Sequence, residues 1–454
     1  MSQRQALPAR VRIGYGTGSV ATGAFGTVPG LMLLPFLTDN LGIGALWAGL
    51  IVFAPKAWDV LLNPVAGRIS DRATGDPRGP RRPFLLRAGL SLSVCFALIF
   101  AGPATGSQIG DAAWVLVAFL ACATAYAFFQ VPYVSMPAEM TADYDERTRL
   151  MTWRVAILAF TIMLAGATAP LIRDAVGGRD GYRVMGLVMA AIILAGVLGA
   201  YFGTREAPVG AVSPGAGTLR DQLRVVARAR DFRLLLTTFV VQALATGVML
   251  AGVDYLAGDV LGSSGAATVL FVCFVGPALV LTPAWAALGT RIGKKSGYLI
   301  ASVVLLAGAL LSAFALLVPP ALVYVAVALV GVGYAGCQVF PMAMMPDTAA
   351  VDAARTGRNR VGVYTGVWTA GETLGLALGP AVFAVVLAIG GYRSSTTGGT
   401  EQSDGAVLAI TLGFSALPAV LVLLSLVWLV RYSLTAADLA AAAATTEPLP
   451  EGTR

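Results

Sequence analysis

The chain is 454 residues long, 57% hydrophobic and 12% charged, whereas an average soluble domain carries about 25% charged residues. That composition excludes an ordinary soluble domain and describes a polytopic membrane protein. There is no histidine, which excludes His-based metal sites, Ser-His-Asp triads and imidazole proton relays, and leaves proton chemistry to carboxylates.

The first apolar run follows Arg10 and Arg12 and continues to about residue 37. It is too long for a signal-peptide core and long enough to cross a bilayer about 30 Å thick at about 1.5 Å per residue. Further runs predict spans near 43–70, 83–104, 112–140, 149–172 and 181–203. A polar stretch over 204–233, with Pro208, Pro214, Gly215 and Gly217 early and an arginine-rich amphipathic piece later, reads as a linker. Six more spans are expected near 234–256, 264–288, 297–318, 321–346, 361–390 and 406–431. The expected fold class is all-α and polytopic, with twelve transmembrane helices. Residues 1–203 and 234–432 form its two six-helix halves, and 433–454 an Ala-rich tail without a fold of its own.

About 26 of the 31 Lys and Arg residues fall at the termini, the even-to-odd turns and the linker, while the opposite turns hold Arg173, Arg179, Arg183 and Arg393. The positive-inside rule therefore expects both termini and the linker in the cytoplasm, with the chain in the plasma membrane. The same asymmetry accounts for the net charge of +7, because the basic residues bracket helix ends instead of forming a nucleic-acid patch. The expected partners are the bilayer and a small-molecule solute, with no nucleic acid and a monomeric chain. The four cysteines lie inside apolar segments without paired short spacing, which suggests neither disulfides nor zinc.

The most informative stretch runs from Pro55 to Pro83. Lys56, Asp59 and Asn63 recur at spacings of three and four, so one helix face carries all of them. Each ion at a bilayer centre costs roughly 2.5–3.5 kcal/mol on translocon scales, so such a stripe is expected to face a bundle interior or a water-filled path. It reads as an ion-coupling site. The rival reading is that Asp59 only neutralises Lys56 within the helix. The halves also repeat each other: Gln130-Val131 and Gln338-Val339 stand 208 residues apart, as do Arg147-Thr148 and Arg355-Thr356, with Asp143 and Asp352 nearly in step. That pattern points to a duplicated unit with a pathway between the copies.

These pieces resemble the major facilitator superfamily, whose turn between helices 2 and 3 carries a Gly, Asp and Arg/Lys motif like Gly67 to Arg82 here. More narrowly, Gly14-Tyr15-Gly16, Phe36-Leu37-Thr38-Asp39 with Gly42, Trp58-Asp59 through Asn63-Pro64, and Val131-Pro132-Tyr133 resemble the glycoside-pentoside-hexuronide:cation symporters, among them melibiose permease. The resemblance implies a secondary active transporter working by alternating access, a cation-coupled symporter of a sugar or glycoside-like solute. A lysolipid or other amphiphile, or proton-coupled export, is the alternative. It implies a gate at Arg68, Asp71, Arg72, Arg81 and Arg82 with Asp143 and Asp352.

Matched to melibiose permease, Asp59 falls on a cation-binding aspartate, but Asn63 replaces a second one and Ala127 a hydroxyl-bearing threonine. Hard cations want several oxygens whereas a proton needs one carboxylate, so H⁺ is expected over Na⁺, with Asp59 and Asn63 the alternative Na⁺ site. Gly23 and Gln130 replace two sugar-clamping carboxylates, while Arg154 matches an arginine. Glu372 stands where a lysine is matched, one turn beyond Trp368. A desolvated intramembrane Glu can hold a proton near neutral pH, as a carrier requires; an ion pair with Arg154 or Lys56, or a substrate contact, are its other readings. Gln130, Arg154, Tyr126, Trp368 and Lys56 are the candidate substrate residues, with packing as the rival role for each. Asp254 reads as an outer gate or loop contact. No cofactor is expected. An enzyme is disfavoured because no nucleotide loop, metal cluster or catalytic pair is recognisable. A non-transporting sensor is disfavoured by Asp59 and Arg154.

Overall fold

The structure, a computed structural model, describes residues 7–73, 79, 81–103, 106–141, 143–208, 219–263, 265–356, 360–396, 401–435 and 438. The described residues are all-helical or in connecting turns, and among them 12 helical segments are long and apolar enough to cross a membrane. The first half comprises α1 (Ala9–Pro35), α2 (Ala45–Arg72), α3 (Arg82–Phe100), α4 (Gln108–Met140), α5 (Tyr144–Val176) and α6 (Gly178–Gly203). The amphipathic piece of the linker forms α7 (Leu219–Arg228), which packs on the second half; 209–218 lie outside the described residues, as does most of the tail. The second half comprises α8 (Arg230–Tyr255), α9 (Ala266–Ile292), α10 (Lys294–Ser312), α11 (Pro320–Thr356), α12 (Val361–Ile389), and α13 (Asp404–Phe414) followed by α14 (Ala416–Arg431).

Three departures from the expected spans have local causes. The twelfth span is broken at Ser415, because Pro418 has no N–H to offer the carbonyl one turn earlier. The tenth span, α11, runs past the expected end near residue 346 to Thr356, because the polar turns after Pro346 remain helical. Finally, α1 and α8 each end in a π-turn, Phe36–Asn40 and Leu256–Val260.

Small residues set the packing. A Cβ on Gly14 would sit 2.5 Å from the Gly203 Cα, and one on Gly247 would sit 2.8 Å from the Leu376 carbonyl oxygen, so α1 on α6 and α8 on α12 approach at backbone contact. Inside the second half the buried Gln242 amide donates to Ser302 (2.9 Å) and Ser425 (3.0 Å) and accepts from the Tyr298 hydroxyl (2.9 Å), satisfying a polar core among α8, α10 and α14.

With an even number of spans, the first and last described helices begin and end at one end of the bundle, here the terminal end; the other is the distal end. Between the halves, α2 packs on α12, α1 on α8 and α5 on α9, whereas the repeat-related α4 and α11 share no packed interface.

Candidate functional site

Halfway along α2, Asp59 is 3% exposed and its Oδ1 has no hydrogen-bond partner. One turn on, the Asn63 Oδ1 is likewise buried and unpartnered. Lys56 and Asp59 do not form an ion pair: the ammonium lies over the Phe25 ring of α1, 4.1 Å from its centroid, with the Phe119 ring of α4 at 5.9 Å. A cation–π seat of this kind satisfies the lysine without consuming the carboxylate. The helix face carrying Asp59 is fixed by its neighbour Trp58, whose indole N–H donates to the Thr124 hydroxyl of α4 at 3.0 Å.

The other candidates of the first half lie on α4 and α5. Tyr126 stacks on Phe25 at 4.1 Å. The Arg154 guanidinium lies 5.7 Å from the Tyr133 ring, and its Nε is buried and unpartnered. Tyr133 is held in turn by Tyr15, whose carbonyl it donates to at 2.9 Å, and by the Ser19 hydroxyl at 3.0 Å. The Gln130 Oε1 is also buried without a partner. A carboxylate, an amide, a guanidinium and aromatic faces therefore share one half, with unused hydrogen-bonding atoms.

Glu372 belongs to the opposite wall. It lines a cavity of α8, α11 and α12 with Thr246, Tyr334 and Gln338, the last donating to the Tyr334 hydroxyl at 2.7 Å. No ion pair joins Glu372 to Arg154 or Lys56 among the described residues, so the latch reading of this residue finds no contact here. Trp368 is 1% exposed and stacks on Phe239 of α8 at 4.4 Å, with its indole N–H unpartnered. Sequence reasoning missed Tyr334, although the repeat carries it, since Tyr126 precedes Gln130 as Tyr334 precedes Gln338.

Among the described residues, the ion pairs at the terminal end stay within a half. Arg81 is buried against Asp71 and Glu139, each at 2.7 Å, and donates to the Ser70 hydroxyl at 2.6 Å. Burial works against its charge, but the Glu139 and Asp71 hydrogen bonds and charges outweigh it, so the Arg81 guanidinium is held above its ordinary pKa. Arg82 caps α6 through the Tyr201 carbonyl at 3.0 Å, and the Asp143 carboxylate accepts from the Glu146 amide at 3.0 Å to cap α5. In the second half Asp352 meets Arg360 at 3.7 Å and Lys294 meets Asp347 at 2.6 Å. Arg68 and Arg72 are exposed. The gate candidates thus gather at one end, and among the described residues the ion pairs of Arg81 and Asp352 each stay within one half. Glu139, absent from the sequence reading, is the partner that completes the Arg81 cluster.

At the distal end the bonds cross. Arg173 of α5 meets Asp254 of α8 at 2.6 Å; the Thr38 and Tyr255 hydroxyls are 2.7 Å apart; and Tyr392, just after α12, donates to Asp39 at 2.7 Å. Asp254 is therefore a distal inter-half contact. A Cβ on Gly49 of α2 would lie 2.6 Å from the Ala384 Cβ of α12, which shows how tightly this end is shut.

Comparison with known proteins agrees with this architecture. The family described as MFS/sugar transport protein matches residues 14–436. A glucuronide carrier protein homolog of Escherichia coli (strain K12) is 26% identical over 442 residues, covering 95% of this chain and 94% of that protein. Sodium-dependent lysophosphatidylcholine symporter 1-A of Danio rerio is 22% identical over 476 residues, covering 95% and 86%. The crystal structure of nucleoside transporter NupG shares the fold, with a TM-score of 0.64 at 14% identity over 94% of this chain and 99% of that one. With that family match over nearly its whole length and twelve spans in this fold, the chain belongs to the MFS/sugar transport protein family and is an integral membrane secondary transporter of small molecules, not an enzyme.

Proposed function

We propose that the chain is a proton-coupled symporter of a small hydroxylated solute, sugar or glycoside in class, with both termini cytoplasmic and the described state closed outward. The observation that carries this reading is Asp59, a buried carboxylate midway through α2 whose oxygen is unspent and whose nearest cation is seated on an aromatic ring. One carboxylate suffices for a proton, whereas Na⁺ needs several oxygens, and Asn63 offers a carbonyl where a second charge would be required. Gln130, Arg154 and Tyr126 from one half, and Glu372 with Tyr334 and Gln338 from the other, supply hydrogen-bonding groups and a stacking face to a solute between them. The glucuronide carrier homolog supports a sugar-like class.

Reconstituted Asp59→Asn protein tests the coupling. It should lose concentrative uptake yet keep solute exchange, because a permanently neutral side chain can cycle loaded but cannot give up a proton. Retained concentrative uptake would sink the reading. Glu372→Gln should weaken solute binding if that residue holds substrate, and should copy the Asp59→Asn behaviour if it carries the proton. The Danio rerio relative favours a second reading, an amphiphile as the solute. A thermal-shift screen with sugars, glycosides and lysolipids separates the two by which class stabilises the protein.

A further inference from the structure

The last turns of α1 and α8 are one device built twice. Phe36-Leu37-Thr38-Asp39-Asn40-Leu41-Gly42 and Leu256-Ala257-Gly258-Asp259-Val260-Leu261-Gly262 each place Asp fourth, Leu sixth and Gly seventh. Each closes with a π-type bond, Leu41 N–H to the Phe36 carbonyl at 3.1 Å and Leu261 N–H to the Leu256 carbonyl at 2.9 Å. Each ends on a glycine at φ 66°, a left-handed conformation that favours glycine. The wide turns bring both aspartates to one phenol: the Tyr392 hydroxyl lies 2.7 Å from Asp39 Oδ1 and 3.4 Å from Asp259 Oδ2.

A hydroxyl has one hydrogen to give. The shorter contact takes most of it and leaves Asp259 a long, weak share at 3.4 Å; that contact becomes a full hydrogen bond when a second hydrogen sits between those oxygens, with a carboxyl O–H donating to the phenol oxygen. The phenol cannot be the group that ionises, because burial and then the Asp39 and Asp259 charges push Tyr392 far up. The surrounding charges do not supply a substitute. Arg173 of α5 already serves Asp254 at 2.6 Å and Asp174 at 2.7 Å; Tyr182 of α6 and Tyr255 of α8 bring hydroxyls, not cations; Arg393 and Asp404 are exposed. Four carboxylates thus face one arginine. We propose that Asp39, Tyr392 and Asp259 form a proton-sharing lock, in which closing the distal end takes up one proton between two carboxylates and one phenol, and opening returns it to solvent. Acid favours the closed end, and alkali opens it. This lock sits at the distal end and is separate from the coupling role proposed for Asp59.

The test uses the full chain in nanodiscs, with its cysteines replaced and spin labels at Ile109→Cys and Leu317→Cys, exposed distal positions on opposite halves. Electron-spin distances are measured from about pH 5 to about pH 9. One linked proton changes the open-to-closed ratio by up to about tenfold per pH unit. The unmodified lock should show the long-distance population growing with pH. Asp39→Asn and Asp259→Asn, which replace the shared proton by a fixed amide, should each flatten that dependence on the closed side. Tyr392→Phe should favour the open form at every pH, and Asp59→Asn should leave the pH response intact. A pH response unchanged in both distal aspartate variants, lost in Asp59→Asn, or absent from the parent protein would overturn the lock.

Discussion

The two ends of the bundle use their charged side chains differently. At the distal end the bonds run between halves: Arg173 to Asp254, Thr38 to Tyr255 and Tyr392 to Asp39. At the terminal end the ion pairs among the described residues run within halves, with Arg81 to Asp71 and Glu139, and Asp352 to Arg360. The contrast gives alternating access a physical basis. Packed interfaces are bistable, so the end that is shut carries cross-half partners, and the residues of the other end are parked on their own half until the equilibrium turns over.

The strongest break in this arrangement comes from the site between the ends. Asp59→Asn should reduce driven uptake to background while exchange persists, as measured in proteoliposomes with and without an imposed gradient. Next in size is Arg173→Gln, which strands Asp254 in a site where its side chain is 11% exposed. Removing one partner of a buried pair costs about 3–5 kcal/mol. The variant should open the distal end to impermeant thiol reagents, and Asp254→Asn should restore protection. Labelling equal to the parent would show that the pair does not hold the halves.

A smaller effect is expected at the terminal end. Asp71→Asn leaves Arg81 its Glu139 partner, so solute binding should be nearly unchanged while conformational exchange slows severalfold in a stopped-flow assay. The smallest effect belongs to the core. Gln242→Leu leaves the Tyr298 hydroxyl unpaired, a loss of about 1–3 kcal/mol for a buried polar group, tempered by the modest worth of about 0.6 kcal/mol for hydrogen bonds between membrane helices. A melting temperature lowered by a few degrees, with unaltered transport, would keep this network apart from gating.

The spans were legible because apolar length decides them, and breaks such as Ser415 were less so because a single proline only shifts one bond. Asp59 was legible as a cost: an ion in an apolar helix must have a reason. Its relation to Lys56 was not, since spacing puts them on one face but only the Phe25 ring, contributed by another helix, draws the ammonium away. Trp368 shared a glycine-rich face with Glu372 in sequence, yet Phe239 of α8 takes its ring into packing. The gate motif could be placed at a turn, whereas its partner Glu139 comes from the end of α4, beyond any local pattern. The two π-turns repeat at an offset different from that of the Gln-Val pairs, because the halves differ in loop length, and that difference hid them.

The central claim is that Asp59 carries a proton through the pathway and that Asn63 leaves the site short of a Na⁺ cage. Uptake of a stabilising solute into proteoliposomes, followed with a pH-sensitive dye in the lumen, measures this most directly. Solute entry should bring protons with it, respond to an imposed pH gradient and be indifferent to replacing Na⁺ with K⁺. Uptake that needs Na⁺ and moves no protons would contradict the account.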